Sequence, residues 1–247
     1  MTELSLQGRT AVITGAASGI GRALALKAAA EGMALAICDT DAAGLEATAD
    51  AARTAGAEVA TAVLDVRDPA ALAVFAGRTQ GSIALVFANA GIARRRPIST
   101  QFLDELRLIF EINVLGAIAT VQAFLPRLTA QAERSQVAIT GSQASLVIFD
   151  GIGAYTASKH ALLPLAEALA AELAETPVGV SLIAPGGVAT AILGKGVASA
   201  SPTVMPAERA ADLIFAGVCR GGFLISTHAD LAGMYVARSE RLRAMLG

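Results

Sequence analysis

The residues Thr14-Gly-Ala-Ala-Ser-Gly-Ile-Gly21 decide how the chain folds, because they join a strand pattern to a helix pattern. Before them, Arg9 to Thr14 is a short apolar run with β-branched residues, which is typical of a buried strand. After them, a helical pattern runs from Ile20 to Glu31, and Gly32 supplies a stop signal. In this context such glycines let the backbone come close to a pyrophosphate at a helix N-terminus. An ordinary turn is the alternative interpretation.

Strand and helix patterns alternate along the rest of the chain. Further strands are predicted at 33–38, 58–64, 83–87, 136–140, 178–183 and 222–226, and further helices at 41–55, 69–79, 100–128, 154–174, 207–219 and 231–246. Alternation of this kind predicts βαβ units and a parallel sheet. We therefore expect an α/β, doubly wound, Rossmann-like fold, a three-layer sandwich of about seven strands with helices on both faces. Residues 1–247 are interpreted as one dinucleotide-binding domain, with a substrate lid at about 187–206 and a helical tail at about 229–246.

The composition favours a globular protein without a membrane or nucleic-acid partner. Of the 247 residues, 54% are hydrophobic and 16% charged, which is ample material for a core. No apolar run reaches the ~18 residues that a membrane helix needs, and the first residues lack the pattern of a signal peptide, so we expect a cytoplasmic protein. The net charge of −2 gives no electrostatic case for nucleic acid. The two cysteines and two histidines show no metal-ligand spacing, so we expect no metal site.

Asp39 is the candidate residue for cofactor selection. It ends the second predicted strand, 18 residues past Gly21 and near the ~20 expected for an acid that binds ribose hydroxyls. A carboxylate there repels a 2′-phosphate, and neither Ala16 nor Ala17 offers a compensating cation. This predicts NAD(H) in preference to NADP(H). The alternative is an Asp that only caps the helix beginning near Asp41.

A second group of chemistry-bearing residues lies between Gly141 and Lys159. Ser142 follows a predicted strand, at the end where an open parallel sheet places its ligands. Tyr155 and Lys159 are four residues apart and so share one helix face. A nearby cation lowers the pKa of a tyrosine from its usual value of about 10, which lets the phenol exchange a proton with a carbonyl or an alcohol. Taken alone, the same residues also fit a packed ring beside a solvated amine.

Two further features are ambiguous from the residues alone. Asn113 interrupts a helical pattern, where it either caps or bends the helix or faces the site. Arg94, Arg95 and Arg96 follow the fourth strand, on the side where this fold binds ligands. We interpret the three arginines as solvated surface side chains. The alternative is that one of them meets an anionic group of the substrate.

Taken in order, these motifs resemble the short-chain dehydrogenase/reductase family in its compact single-domain form, over nearly the whole chain. The segment 14–21 resembles the family's cofactor motif, and Asn113, Ser142, Tyr155 and Lys159 match its catalytic tetrad in order and spacing. Asn89-Ala-Gly91 matches the element that supports the central sheet, and Pro185-Gly186 with Thr190 matches the turn at the nicotinamide end. The resemblance implies cofactor contacts at Gly15, Ser18, Gly19, Ile20, Gly21, Asp39, Asp65, Val66, Asn89, Ala90, Gly91, Tyr155, Lys159, Pro185, Gly186, Val188 and Thr190.

The resemblance also implies a mechanism, that of an NAD-dependent oxidoreductase interconverting a secondary alcohol and a ketone. Tyr155 would act as general acid/base on the substrate oxygen, and Ser142 would hydrogen-bond that oxygen. Lys159 would lower the pKa of Tyr155 and bind the nicotinamide ribose. Asn113 would hold a water that links Lys159 to a proton relay.

Two alternative functions remain open at this point. A 3-oxoacyl-(acyl-carrier-protein) reductase-like enzyme is disfavoured by Asp39, because biosynthetic reduction generally uses NADPH. A non-catalytic protein that senses a dinucleotide is disfavoured because Tyr155 and Lys159 are both retained. The substrate itself is not specified, since the apolar residues near the tetrad could line a pocket or pack the core. These residues are Leu146, Ile148, Phe149, Ile192 and Leu193.

The resemblance favours a homo-oligomer, but one feature departs from the family. Many relatives close with a glycine-rich turn after the last strand, where this chain has Gly221 to His228 and then a helical tail. Because family tetramers often pair through that strand, a tetramer is expected and a dimer stays open.

Overall fold

One parallel sheet of seven strands forms the centre of the computed structural model, which describes residues 4–190, 192 and 204–246. Its strands are β1 (Thr10–Thr14), β2 (Ala34–Asp39), β3 (Val59–Val63), β4 (Ile83–Ala88), β5 (Ser135–Thr140), β6 (Val178–Ala184) and β7 (Leu224–Ser226). Their order across the sheet is β3-β2-β1-β4-β5-β6-β7, and every neighbouring pair is parallel. Strands β2 and β3 are added on one side of β1, whereas β4 to β7 are added on the other side. This change in strand order between β1 and β4 opens a crevice at the carboxyl ends of these two strands.

Helices cover both faces of the sheet. They are α1 (Gly19–Ala30), α2 (Ala42–Thr54), α3 (Pro69–Arg78), α4 (Leu103–Phe110), α5 (Ala117–Ala130), α6 (Gly153–Glu172), α7 (Ala207–Cys219) and α8 (Leu231–Met245). One buried cluster joins α1, α2 and α7 to the sheet, and the other joins α3, α5 and α6 to its opposite face. Successive side chains of a strand point to opposite faces, so Ile13 packs in the first cluster and Val12 in the second. The predicted α/β three-layer sandwich is confirmed.

The long helical pattern predicted at 100–128 has a more complicated course in the structure. It begins at Leu103, becomes π-helical over Glu111–Gly116, and continues as α5 to Ala130. A Cβ atom on Gly116 would lie 2.6 Å from Cγ2 of Val66, so a glycine is required where this helix crosses the loop after β3. Short π-helical segments are rare and often accompany functional sites. This one carries Asn113.

The same combined helix, Leu103–Ala130, is long and apolar enough to cross a membrane by length and composition. It contains Glu111 and Asn113, so it is not an unbroken apolar run. Its inner side, with Phe124 and Leu128, is buried in the core against the sheet. Because a core helix of a globular protein passes the same test, we interpret the segment as part of the core.

The segments flanking the last strand complete the described fold. Most of the predicted lid, residues 191 and 193–203, lies outside the described residues. At the two ends of that segment, Val188 and Met205 form an isolated parallel bridge. Strand β7 is shorter than predicted, and the predicted helical tail is α8.

Candidate active site

A cleft of about 960 Å³ opens at the carboxyl ends of the central strands. It runs from the glycine-rich turn after β1 to the loop that follows β5. Every residue that the sequence analysis assigned to the cofactor lines it, as do Ser142, Tyr155 and Lys159. Of the predicted site residues, Asn113 alone is set behind the wall of the cleft. The structure therefore brings the predicted cofactor and catalytic residues to one place.

The glycine-rich turn forms a cradle that leaves no room for side chains. Gly19 has a φ of 56°, in the left-handed region, and a Cβ there would lie 2.9 Å from Cγ2 of Thr190. At Gly21 a Cβ would lie only 2.6 Å from Nδ2 of Asn89. Ser18, the N-cap of α1, makes no side-chain capping bond, so it leaves the first backbone N–H groups of α1 without that acceptor. These features fit a pyrophosphate at the helix N-terminus.

Asn89 ties the ends of three strands together beneath the cradle. Oγ1 of Thr14, at the end of β1, accepts hydrogen bonds from the backbone N–H groups of Asn89 (3.0 Å) and Ala90 (3.1 Å). The Asn89 side chain donates through Nδ2 to the carbonyl oxygen of Thr14 at 3.0 Å. Its Oδ1 accepts from the hydroxyl of Thr140, at the end of β5, at 3.3 Å. The floor of the cleft is thus fixed by side chains as well as by the sheet.

Asp39 lines the cleft at the end of β2 but is not the cap of α2. That cap is Asp41, whose Oδ1 accepts from Gly44 N at 3.1 Å. The carboxylate of Asp39 accepts from Ala17 N at 2.9 Å and from Asp41 N at 3.0 Å. Asp39 therefore holds the glycine-rich turn against the start of α2 while presenting its charge to the cleft.

Asp65 lies at the same end of the cleft, and its partner there is Arg67, a residue that the sequence analysis did not single out. Nη2 of Arg67 is 2.6 Å from Oδ2 of Asp65, and this side-chain hydrogen bond is the main cause that lowers the pKa of Asp65. The neighbouring Val66 is buried and contacts Gly116. The sequence signal that could have indicated this ion pair is an arginine two positions after an aspartate at the end of a predicted strand.

Tyr155 and Lys159 lie one turn apart on α6, as the spacing predicted. Nζ of Lys159 is 5.7 Å from the centroid of the Tyr155 ring and donates a hydrogen bond to the carbonyl oxygen of Thr140 at 2.7 Å. Lys159 is only 2% exposed. Ser142 follows β5, where its Oγ accepts from Ala144 N at 3.1 Å and its side chain hydrogen-bonds Tyr155.

Burial dominates the electrostatics of this pair. It raises the pKa of Tyr155 above its ordinary value, and the hydrogen bond with Ser142 opposes that shift. Burial also lowers the pKa of Lys159 to about 8. The sequence analysis expected Lys159 to lower the pKa of Tyr155. In the structure the ammonium group donates to the carbonyl oxygen of Thr140, and desolvation of the phenol is the largest cause that acts on the pKa of Tyr155.

Asn113 reaches the site from the π-helical segment through backbone contacts. Its Oδ1 accepts from Ile92 N at 2.8 Å, and its Nδ2 donates to Ile92 O at 2.9 Å and to Oγ of Ser158 at 3.0 Å. A Cβ on Gly91 would lie 3.2 Å from Oδ1 of Asn113 and 3.4 Å from Nζ of Lys159, so both side chains meet beside this glycine. Asn113 therefore lies behind the wall of the cleft, within the π-helical segment and beside Gly91 and Lys159.

The cleft is also lined by apolar and charged residues outside the cofactor motifs. Leu108, Ile112, Phe149, Ile152 and Ile192 line it. Of the other predicted pocket residues, Leu146 is buried in a small cluster, Ile148 is exposed, and Leu193 lies outside the described residues. Arg94 and Arg95 also line the cleft, whereas Arg96 does not.

Comparison with known proteins decides the family. A family model described as short chain dehydrogenase matches residues 9–200. The chain belongs to the short-chain dehydrogenase/reductase family. It is therefore an oxidoreductase of hydroxyl and carbonyl groups, as the sequence motifs predicted.

Individual members of the family are similar over almost the whole chain. A 1-deoxy-11-beta-hydroxypentalenate dehydrogenase of Streptomyces avermitilis is 36% identical over 236 residues, which are 92% of this chain and 87% of the relative. A short-chain dehydrogenase/reductase of Burkholderia phymatum, solved in complex with NAD, is 32% identical with a TM-score of 0.90, covering 99% of this chain and 97% of its own. One from Sphingobium yanoikuyae, in complex with NADPH, is 25% identical with a TM-score of 0.83, covering 96% and 95%.

Within this short-chain dehydrogenase/reductase fold, hydrogen bonds of Gln143 and Leu146 link the catalytic turn to the start and middle of α8, and no local pattern predicts them. Gln143, the residue after Ser142, is buried and donates through Nε2 to Oδ1 of Asp230 at 2.8 Å. Nη1 of Arg238 donates to the carbonyl oxygen of Leu146 at 2.7 Å. Gln143 and Asp230 are 87 positions apart, so only the fold brings them together.

We expect Asp230→Ala to lower the free energy of unfolding by about 1–3 kcal/mol, because the buried amide of Gln143 loses a charged acceptor. Urea denaturation followed by circular dichroism measures the change. Asp50→Ala is the matched control, because Asp50 is an exposed acid on α2 paired with Arg53. Equal stabilities of the two variants would contradict a structural role for the Gln143–Asp230 bond.

Proposed function

We propose that the chain is an NAD(H)-dependent enzyme that interconverts a secondary alcohol and a ketone, with Tyr155 as general acid/base. The observation that carries this proposal is that Ser142, Tyr155 and Lys159 meet in one cleft beside a glycine-rich cradle. A relative named as the dehydrogenase of a hydroxylated compound and a neighbour solved with NAD support the reaction and the cofactor.

The residues present fit a nicotinamide dinucleotide. The cradle of Gly19 and Gly21 would take the pyrophosphate, Asp39 the adenosine ribose, and Thr190 the nicotinamide end. When bound, the dinucleotide supplies or accepts the hydride at nicotinamide C4. Asp39 favours NAD(H), because its carboxylate would repel a 2′-phosphate at the same position.

Tyr155 and Ser142 would act on the substrate oxygen. In ketone reduction the phenol of Tyr155 gives a proton to that oxygen, and in alcohol oxidation the phenolate takes one. Burial keeps Tyr155 protonated near neutral pH, which is the form that reduction requires. Ser142, already hydrogen-bonded to Tyr155, would donate to the same oxygen and stabilise the charge that develops on it.

Lys159 would support that proton transfer electrostatically, and Asn113 would support it by positioning the neighbouring backbone. With a pKa of about 8, Lys159 is largely cationic at neutral pH and stabilises the phenolate that forms when Tyr155 gives up its proton. Asn113 fixes the backbone at Ile92 and reaches Ser158, whose hydroxyl donates to the carbonyl oxygen of Tyr155 at 2.7 Å. A relay water held near Asn113 and Lys159 is part of the proposal.

Tyr155→Phe should lower turnover by roughly 100-fold or more, the usual scale for loss of a general acid/base, while leaving NADH binding nearly intact. NADH absorbance measures turnover and NADH fluorescence measures binding. The chain has two tyrosines, and Tyr235→Phe, an exposed position on α8, is the matched control. Retained turnover in the first variant would mean that the proton comes from another group.

The rate of ketone reduction should depend on the charge of Lys159. Burial lowers the pKa of Lys159 to about 8, so its cation is present below that pH and lost as the pH rises through it. The raised pKa of Tyr155 keeps the phenol protonated over the same range. We therefore expect kcat/KM for reduction to be highest below about pH 8 and to fall above it. A constant value up to pH 10 would contradict this role for Lys159.

Asp39→Ala combined with Thr40→Arg should shift the preference towards NADP(H), because it removes the repelling carboxylate and adds a phosphate partner. The ratio of kcat/KM for NADP to that for NAD is the measurement. Asp39 also holds Ala17 N, so efficiency with NAD should fall in absolute terms as well. Thr40→Arg alone keeps the carboxylate and serves as control. Equal efficiency with both cofactors in the parent protein would overturn the assignment.

Homo-oligomeric assembly, a cytoplasmic location and a single domain spanning residues 1–247 also belong to the proposal. Size-exclusion chromatography with light scattering measures the first of these, with a tetramer expected and a dimer as the alternative.

A further inference from the structure

The substrate end of the cleft carries two guanidinium groups that no acid of the described residues neutralises. We propose that Arg94 and Arg95 form a subsite for a carboxylate, so that the substrate is a hydroxy acid or keto acid with an apolar body. This inference rests on the proposed function, because it names the class of alcohol and ketone that the same cleft accepts.

The three consecutive arginines, alike in sequence, differ in the structure. Nε of Arg96 lies 3.2 Å from Oε2 of Glu105, and its guanidinium stacks 4.3 Å from the centroid of the Phe102 ring. Arg96 is therefore paired with Glu105 and stacked on Phe102, and it does not line the cleft. Arg94 and Arg95 line the cleft, and across residues 4–190, 192 and 204–246 neither forms an ion pair. The hydrogen bond of Arg94 goes to the carbonyl oxygen of the adjacent Ala93.

The acids of the cleft are distributed unevenly. Asp39 and Asp65 lie at the dinucleotide end, and Asp65 is paired with Arg67. The other lining residues of the cleft include one acid, Asp150, and three cations, Arg94, Arg95 and the buried Lys159. This part of the cleft lining therefore carries an excess of positive charge that an anionic substrate would compensate.

The chemistry of the two side chains selects the kind of anion. A guanidinium presents parallel N–H donors in a planar fork that matches a carboxylate bidentately. The lining of the same cleft also includes the apolar side chains of Leu108, Phe149 and Ile152. A molecule with a carboxylate, an apolar body and a carbinol that reaches Tyr155 fits this set of surfaces. The carboxylate takes no part in the redox step, so it acts through binding and orientation.

A matched pair of substrates tests the subsite. The probes are 3-oxocyclohexane-1-carboxylate and its neutral primary amide, each assayed with NADH. In the variant Arg94→Ala/Arg95→Ala we expect the acid-to-amide ratio of kcat/KM to fall about tenfold, mainly through KM for the acid. Arg78→Ala/Arg107→Ala removes the same charge from exposed helix positions outside the cleft and should leave the ratio unchanged. Added salt should reduce the ratio in the parent protein.

Equilibrium binding separates failure of this inference from failure of the proposed function. Calorimetric titration of the NAD⁺ complex with the keto acid, a combination that cannot react because neither partner carries a transferable hydride, should show weaker binding in the Arg94→Ala/Arg95→Ala variant. If neither probe is reduced but binding still depends on the arginines, the proposed reaction fails and the carboxylate subsite stands. An acid-to-amide ratio equal to that of the parent overturns the subsite, as does a loss of NADH affinity in place of carboxylate affinity.

Discussion

The hydrogen bonds of Asn89 are the constraint on which the rest of the site depends. Through Thr14 and Thr140 they fix the carboxyl ends of β1, β4 and β5 relative to one another. An open parallel sheet provides a crevice there, but backbone ladders end with the strands and do not set the geometry beyond them. Because Asn89 also contacts the position of Gly21, the cofactor cradle and the strand ends are held by one side chain. Thr140 links this hydrogen-bond network to the catalytic residues, because its carbonyl oxygen accepts a hydrogen bond from Lys159.

Desolvation is what makes the tyrosine and lysine of α6 chemically distinctive. Both side chains are drawn into the cleft wall, where burial disfavours their charged forms and moves their pKa values in opposite directions. Free tyrosine and lysine side chains have similar pKa values, both of about 10 or slightly more. Here the pKa of Tyr155 is raised and that of Lys159 is lowered to about 8, so the two values move apart and the phenol holds its proton more tightly than the ammonium group does. Burying these two polar groups costs folding free energy. The cost is reduced because Lys159 donates a hydrogen bond to Thr140 and Tyr155 is hydrogen-bonded to Ser142.

Features that depend on short-range patterns could be predicted from the sequence, and features that depend on distant partners could not. The glycine-rich turn, the alternation of strands and helices, and the tyrosine–lysine spacing are all local, and the fold follows from them. The contacts of Asp39 were not predictable, because Ala17 lies 22 positions away. Nothing local distinguishes Arg96 from its neighbours, since its partners Phe102 and Glu105 lie at the start of α4. The π-helical segment is too short for hydrophobic periodicity to separate it from an α-helix, and the Gln143–Asp230 bond needs the folded chain.

The strand order has a consequence for how the molecule acquires its structure. Within each half of the sheet, neighbouring strands are joined by single crossovers, whereas β1 pairs with β4 across the widest separation along the chain, with Ala11 beside Leu85. Because loop closure costs more entropy as the loop lengthens, this pairing carries the largest closure cost of the strand pairs in the sheet. Thr14 and Asn89 lie at the end of that strand pair. A partly folded chain with both halves in place would thus still lack the cleft, and competence to bind a dinucleotide would report completion of folding.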